Sequence, residues 1–154
     1  MKIYSMKKIY LLLTLIVLTV ALHAQTSEDS VKAAVKNLFT GMINADSSAI
    51  INSFTADGIL QSIKDKNSQV SVDGEPLSAF AHVIAGLKKG DADERITFNV
   101  VKVDGPLAIV WTPYQFYYKG KFTHCGVDSY QLVRIDGVWK IQYLIDTRRT
   151  GGCL

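Results

Sequence analysis

The sequence of 154 residues is 48% hydrophobic and 20% charged, which is typical of a single globular domain. Its formal net charge of +3 comes from Lys2, Lys7 and Lys8, because the other 14 of the 17 basic residues are balanced by 14 acidic ones. Beyond these lysines the chain is formally neutral, which excludes the strong basic charge expected of a protein that binds nucleic acid or an anionic membrane surface.

The first 24 residues are typical of an export signal. The three lysines precede an apolar run over residues 9–22, and Ala24-Gln25 fits a cleavage point. Leu22 stands three residues before that point, where a small residue is usual, so an uncleaved anchor is the alternative. We predict that residues 25–154 form one exported domain, periplasmic or secreted, with no stable membrane insertion after cleavage.

Apolar spacing predicts three helices in the first half of this domain. The first covers residues 27–44, and its apolar stripe comprises Val31, Val35, Leu38 and Met42. A short second helix is capped by Asp46 or Ser47 and ends near residue 54. The third begins at Pro76 and ends before Gly90.

The remainder alternates between apolar and polar residues, which is typical of strands. Two short strands are predicted at 59–63 and 70–72. Three tight turns then separate the four strands of an antiparallel meander: Asp104-Gly105, Lys119-Gly120 and Asp136-Gly137. We predict these strands at 94–103, 107–118, 121–135 and 138–149.

The register through these turns predicts which side chains share a face. The predicted core face comprises Ile96, Phe98, Val100, Leu107, Ile109, Trp111, Tyr130, Leu132, Trp139, Ile141, Tyr143 and Ile145. Gln115, His124, Asp128 and Arg149 share its parity, unless a bulge near Pro113 changes it. The outer face is predicted to carry Val110, Tyr114, Phe116, Tyr118, Val127, Val133 and Leu144. Since no helix remains to cover it, we expect a homodimer through this outer sheet face.

The stretch WTPYQFYYKGKFTHCGVDSYQLV, the GVWKI after it and DTRR near the last cysteine resemble the "putative lumazine-binding" branch of the nuclear transport factor 2-like superfamily. The order of elements is similar to that superfamily over essentially all of residues 25–154. The resemblance implies a cone-shaped α+β fold of the cystatin-like kind, with N-terminal helices packed on a strongly curved antiparallel sheet. It also implies relatives that range from ketosteroid isomerase-like and polyketide cyclase-like enzymes to noncatalytic pocket proteins.

Two residues are candidates for proton transfer. Asp128 is predicted beside Trp111 and Ile145, where an apolar wall raises the pKa of a carboxyl group. The imidazole of His124 titrates near neutral pH, but its distance from Asp128 along a strand argues against a hydrogen-bonded pair. For each, a purely structural hydrogen-bonding role is the alternative.

The ligand-binding candidates are the polar and aromatic residues of the same face. Tyr130 and Tyr143 have hydroxyl groups that can donate to a ligand oxygen, although a core role is the alternative. Arg149 at the rim could hold a carboxylate or phosphate. The full predicted set is Trp111, Gln115, Tyr130, Tyr143 and Arg149. Asp146 and Arg148 alternate onto the outer face, where we expect an ion pair or a dimer contact.

Cys125 and Cys153 are the two cysteines of the chain. The register places Cys125 beside Arg148, and Gly151-Gly152 allows the tail to turn back, so a disulfide is expected in an oxidising compartment, with free thiols as the alternative. The spacing of histidines and cysteines predicts no metal site, and no nucleotide-binding motif implies a cofactor.

These observations favour an exported protein that binds a small planar or hydrophobic molecule in its cone. One alternative is a cofactor-independent isomerase, dehydratase or cyclase that uses Asp128 as acid or base, with His124, Tyr130 or Tyr143 stabilising the developing charge. A second is a dimeric interaction module with a filled cone.

Overall fold

The computed structural model describes residues 27–66 and 69–153, so the predicted export signal lies outside the described residues. The helices are α1 (Ser27–Asn44), α2 (Ser47–Ser53) and α3 (Leu77–Ala85). The predicted apolar stripe of α1 is buried. Asp46 caps α2, since its Oδ1 accepts a hydrogen bond of 3.0 Å from the backbone N–H of Ala49. None of the described helices is long and apolar enough to cross a membrane.

Seven strands form one curved sheet. They are β1 (Phe54–Lys66), β2 (Gln69–Glu75), β3 (Ala92–Ile96), β4 (Val100–Asp104), β5 (Leu107–Tyr118), β6 (Lys121–Ile135) and β7 (Val138–Thr147). The order across the sheet is β2-β1-β7-β6-β5-β3, and β4 also pairs with β5. The β1–β7 pair is parallel and the other pairs are antiparallel. The predicted α+β class, with N-terminal helices on a curved sheet, is confirmed.

Two β-bulges change the register that the turns alone predict. In β6, Phe116 pairs with His124 while Tyr117 pairs with Phe122, which leaves Thr123 as an extra residue. In β7, Gln131 pairs with Tyr143 while Leu132 pairs with Ile141, which leaves Gln142 as an extra residue. Because side chains alternate between faces, each extra residue exchanges the faces of the side chains beyond it.

The predicted face assignment is therefore wrong for much of β5 and for the second half of β7. Val110, Tyr114 and Leu144 belong to the buried core, whereas Ile109 and Trp111 are 45% and 46% exposed. We call the face that carries Val110 and Tyr130 the inner face. Helices α1 and α3 supply the other side of this core, mainly through Val31, Val35, Leu38, Met42, Ala81 and Ile84.

Candidate functional site

A cavity of about 120 Å³ lies between the helices and the inner face of the sheet. Its apolar wall includes Leu38, Met42, Phe80, Ile84, Phe116 and Leu144. Ionisable and hydroxyl groups from β2, β3, β5, β6 and β7 line the rest of it. The filled cone considered as an alternative is therefore wrong, because the cone holds a space bordered by Asp128.

Asp128 lies at the centre of the polar part of the cavity. It is 3% exposed and stands opposite Thr112, which is completely buried. Its Oδ2 accepts hydrogen bonds from the Thr112 hydroxyl at 3.1 Å and from the Tyr130 hydroxyl at 3.0 Å. Tyr130 follows Asp128 by two residues on β6, so both side chains point to the inner face.

Asp146 and Arg148 form a second polar group in the same cavity. The Arg148 Nε donates to Asp146 Oδ2 at 2.8 Å, and the Tyr114 hydroxyl lies 3.0 Å from that oxygen. The predicted ion pair is confirmed, but its predicted place on the outer face is wrong, because the bulge at Gln142 turns both residues inward. The other carboxylate oxygen of Asp146, Oδ1, is buried and has no hydrogen-bond partner among the described residues.

Glu94 brings a third carboxyl group to the cavity. It lies on β3 opposite Phe116 of β5, and both residues line the space. Burial raises the pKa of Glu94 well above its ordinary value, and the negative charges of Asp128 and Asp146 raise it further. Its carboxyl group therefore holds its proton to a higher pH than an exposed glutamate does.

Burial is also the main cause of the other pKa shifts. It raises the pKa of Asp128 to about 7, although the hydrogen bond from Tyr130 opposes this rise. The pKa of Tyr130 and that of Tyr114 are raised by burial and by the nearby carboxylates, so both hydroxyl groups keep their protons. Burial lowers the pKa of His124, and the positive charge of Arg148 lowers it further. With a pKa of about 7, Asp128 titrates near neutral pH.

His124 lines the cavity beside two aromatic rings. Its ring centre lies 5.1 Å from that of Phe116 and 5.8 Å from that of Tyr114. Its Nδ1 lies 3.2 Å from the Thr123 hydroxyl. No hydrogen bond joins it to Asp128 in the part of the chain that the structure describes, as the strand spacing predicted.

Four predicted ligand-binding residues lie outside this cavity. Trp111 is on the outer face of β5, and Tyr143 donates a hydrogen bond of 2.7 Å to Gln61 Oε1 on the neighbouring strand β1. Gln115 and Arg149 border a separate surface groove with Cys125. Their predicted placement with Asp128 is wrong because the bulges at Thr123 and Gln142 reverse the parity that placed them there. Tyr130, Asp128 and His124 do meet, and a functional role for each stays a prediction.

Glu94, Tyr114, Asp146 and Arg148 belong to the site but were not among the candidates from the sequence. A bulge at any position between residues 116 and 124 would have moved Tyr114 to the face of Asp128. Gly126 is a partial indication in the sequence that β6 is irregular here. A Cβ atom at this position would lie 1.7 Å from the Thr147 carbonyl oxygen. A glycine inside a long strand indicates such a close approach of another backbone.

The predicted disulfide between Cys125 and Cys153 is present, with Cα atoms 5.8 Å apart. The backbone of Cys125 exchanges two hydrogen bonds of 2.9 Å with Arg149, so the bridge holds the end of the chain against β6 beside His124. Over residues 27–66 and 69–153, no three acidic, histidine or cysteine side chains are arranged to hold a metal ion.

Comparison with known families supports the resemblance that the sequence motifs indicated. Residues 26–143 match the model of the family described as "Putative lumazine-binding". The chain belongs to this family. No curated protein matches the sequence. The matched residues cover most of the described domain, including β5, β6 and the cavity residues Glu94 and Asp128.

Solved structures show that this member of the lumazine-binding family has the nuclear transport factor 2-like fold. A nuclear transport factor 2-like protein from Shewanella baltica is 14% identical, with a TM-score of 0.62 over 79% of this chain and 93% of that chain. A cystatin-like domain from Nostoc punctiforme is 13% identical, with a TM-score of 0.65 over 84% and 82%. A ketosteroid isomerase-like protein from Erwinia carotovora atroseptica is 18% identical, with a TM-score of 0.59 over 82% and 98%. At these identities the likeness concerns the fold.

Proposed function

We propose that this protein binds a small, mostly apolar molecule of about one ring in the cavity beside Asp128. The observation that supports this proposal is an apolar space of about 120 Å³ with its polar groups gathered on the sheet side. A buried apolar cavity of about 150 Å³ holds benzene, so a space of this size suits a single ring rather than a fused ring system. The polar groups would orient the ligand, because in most binding sites a small number of convergent polar groups fixes the orientation of the ligand.

Native mass spectrometry of residues 25–154 exported to a bacterial periplasm tests this proposal. We expect a retained adduct of about 80 to 150 Da, the mass of a ligand near the size of benzene. The matched variants are Ile84→Phe, which fills the cavity from α3, and Val83→Phe at an exposed position of the same helix. The adduct should be lost in the first and kept in the second. An adduct that survives Ile84→Phe would place the ligand elsewhere and contradict the proposal.

A second candidate function is acid–base catalysis without a cofactor. It is favoured by Asp128, whose pKa of about 7 suits proton transfer at neutral pH. The carboxyl group of Glu94, whose pKa is raised by burial, borders the same space, and in its protonated form it could donate to a developing oxyanion. Together they would support removal of a proton from a carbon next to a carbonyl group, the first step of an isomerisation or a dehydration.

Exchange of the α-hydrogens of cyclohexanone with deuterated water, followed by NMR, measures this chemistry directly. The exchange rate should rise with pH to a plateau above about pH 7, as Asp128 becomes a carboxylate. The variant Asp128→Asn should reduce the rate to the uncatalysed value, while the exposed control Asp104→Asn should leave it unchanged. A binding protein without catalysis would show no acceleration in the native chain.

We also propose that the chain is exported and cleaved after Ala24. The disulfide supports this only indirectly, because such bonds persist mainly in oxidising compartments. Expression of residues 1–154 in a bacterium, followed by fractionation and intact mass, tests it. A periplasmic species that begins at Gln25 is the expected result, and a full-length membrane-bound species would overturn the proposal.

Finally, we propose a homodimer through the outer face of the sheet. The residues assigned to that face by the turns alone were partly wrong, but the face as found still exposes Val100, Leu107, Ile109 and Trp111 at 39% to 47%. Apolar residues this close together favour contact with a second apolar surface. A symmetric pair would cover the same residues in both copies.

A further inference from the structure

We propose that the ligand of this cavity is a hydrogen-bond donor, specifically a small primary amine that enters as an ammonium ion with its apolar body against the helices. The inference rests on the proposed binding function and names the chemical class of the ligand. It follows from an imbalance between hydrogen-bond donors and acceptors among the side chains that line the space.

The hydroxyl donors of the cavity, and two of the five N–H donors of Arg148, are already engaged by the protein. The hydroxyl groups of Thr112 and Tyr130 donate to Asp128 Oδ2. The Tyr114 hydroxyl lies between Asp146 Oδ2 at 3.0 Å and the Thr147 carbonyl oxygen at 2.9 Å, and it has one proton to give. Arg148 donates from Nε to Asp146 and from Nη2 to Ser62, at 2.8 Å in each case. A ligand that needed donors would depend on the remaining guanidinium N–H groups of Arg148 or on the ring N–H of His124.

The acceptors, in contrast, are in excess. Asp146 is 7% exposed, and its Oδ1 is buried without a partner among the described residues. Both hydrogen bonds to Asp128 end on Oδ2, which leaves its Oδ1 for another donor. Glu94 accepts no hydrogen bond within residues 27–66 and 69–153 and borders the same space. Of these acceptors, Asp146 Oδ1 is the one that is buried without a partner among the described residues. Such an atom costs free energy, which a ligand N–H that reaches it would recover.

The charges of the cavity favour a cation. Four carboxyl groups, those of Glu75, Glu94, Asp128 and Asp146, line the cavity with a single guanidinium group. That group belongs to Arg148, which is 47% exposed and already paired with Asp146. Asp128 and Asp146 stand directly opposite each other on β6 and β7, so their side chains share the inner face at close range. An ammonium group carries three N–H donors and one positive charge, which suits a cavity lined by carboxyl groups from four strands. An anion would meet repulsion from the same groups.

Binding of a cation here should be linked to the release of a proton. The groups that face Asp128 are Glu94 of β3, Thr112 and Tyr114 of β5, His124 and Tyr130 of β6, and Asp146 and Arg148 of β7, with Glu75 of β2 also lining the cavity. Helices α1 and α3 contribute apolar side chains to this lining. Since the pKa of Asp128 is about 7 and that of Glu94 is raised, an ammonium ion displaces a proton from this cluster. A lower pH would also favour a charged His124, which repels the ligand.

Titration of residues 25–154 with benzylamine, benzyl alcohol and benzoate tests the inference, because the three molecules share a ring and differ in one polar group. Binding is measured by isothermal titration calorimetry at pH 6 and at pH 8. We expect benzylamine to bind at least about tenfold more tightly than benzyl alcohol, and benzoate not to bind. Benzylamine affinity should rise about tenfold from pH 6 to pH 8, the change in the ionised fraction of one group with a pKa of about 7.

Two variants separate the charge of the site from its shape. Asp146→Asn and Glu94→Gln each replace a carboxyl group by an amide of the same size and should weaken benzylamine binding while sparing benzyl alcohol. Asp104→Asn, at an exposed position, removes a negative charge remote from the cavity and should change neither. If one variant does not fold, the other still provides the comparison.

The possible results distinguish the ligand class from the binding function itself. Benzyl alcohol or benzoate binding as tightly as benzylamine would overturn the amine inference and leave the cavity as a binding site. Benzylamine binding that is equal at pH 6 and pH 8, or unaffected by both cavity variants, would also overturn it. If none of the three molecules binds and Ile84→Phe leaves the periplasmic adduct unchanged, the inference and the proposed function both fail.

Discussion

Asp128 couples the stability of the fold to pH. Burial raises its pKa from 3.8 to about 7 in the folded state, whereas the unfolded chain keeps the ordinary value. Between these values the folded chain holds a proton that the unfolded chain has lost. The contribution of Asp128 to stability is therefore fully present below about pH 4 and is lost as pH rises to about 7. The stability lost over this window is about 4 kcal/mol for this one group.

The variant Asp128→Asn should therefore have a flatter stability profile. Between pH 4 and pH 7.5, the free energy of unfolding of the native chain should fall relative to that of the variant by about 4 kcal/mol. Urea unfolding at several pH values measures both profiles. Glu94 acts in the same direction in both chains, but in the variant its pKa loses the part of the rise that the charge of Asp128 causes. Asp104→Asn is the control for a lost surface charge. Parallel profiles for the native chain and Asp128→Asn would show that Asp128 does not hold its proton in the fold.

Strands β6 and β7 approach each other so closely at Gly126 that there is no space for a side chain. A Cβ atom there would lie 1.7 Å from the Thr147 carbonyl oxygen, which is also within 2.9 Å of the Tyr114 hydroxyl. We expect Gly126→Ala to destabilise the fold by at least about 2 kcal/mol, since the β7 backbone must move. Thermal unfolding measures the loss.

The control for this variant is Gly74→Ala in β2. A Cβ atom at Gly74 meets nothing within 4 Å, and its backbone is not in the left-handed region. Its melting temperature should stay equal or rise slightly, because alanine restricts the unfolded chain. Equal melting temperatures for both alanine variants would contradict the close approach of β6 and β7.

The Cys125–Cys153 bridge fixes the end of β7 to β6. Its two cysteines are 28 residues apart, and closure of such a loop stabilises the fold by about 3.6 kcal/mol in the chain-entropy model. The double variant Cys125→Ala/Cys153→Ala should lose stability of this order in urea unfolding. Dithiothreitol should destabilise the native chain and leave the double variant unchanged. A native chain that is insensitive to dithiothreitol under unfolding conditions would contradict the contribution of the bridge.

Sequence patterns predicted most of the elements but did not predict which faces they present. The single strand predicted at 94–103 is wrong, because the structure divides this stretch into β3 and β4. The bounds of α1, β5 and β6 follow from apolar spacing and from the glycine turns, which are local signals. The two bulges depend on how β6 and β7 fit their neighbours, and no residue type marks Thr123 or Gln142 as extra. Both faces of β5 carry large apolar residues, so its composition alone did not reveal the error. Asp128 and Tyr130 were correctly predicted to share the inner face, because no extra residue interrupts β6 between them.

The proposed dimer can be tested by a charged substitution on the outer face of the sheet. Trp111 is 46% exposed there, and a lysine at this position would place a charge in the proposed interface between two copies. Light scattering should find a dimer for residues 25–154 and a folded monomer for Trp111→Lys. Val83→Lys, on helix α3 and 58% exposed, should remain a dimer. A native monomer at micromolar concentration would contradict the dimer proposal.

The last strand of the chain lies in the interior of the sheet. Strand β7 pairs with β6 on one side and, in parallel, with β1 on the other, and it supplies Asp146 and Arg148 to the cavity. A chain synthesised from its N-terminus cannot join β1 to the rest of the sheet until β7 has been made. The sheet can therefore be completed only after β7 has been synthesised. Truncation before β7 would remove the centre of the sheet rather than a dispensable end.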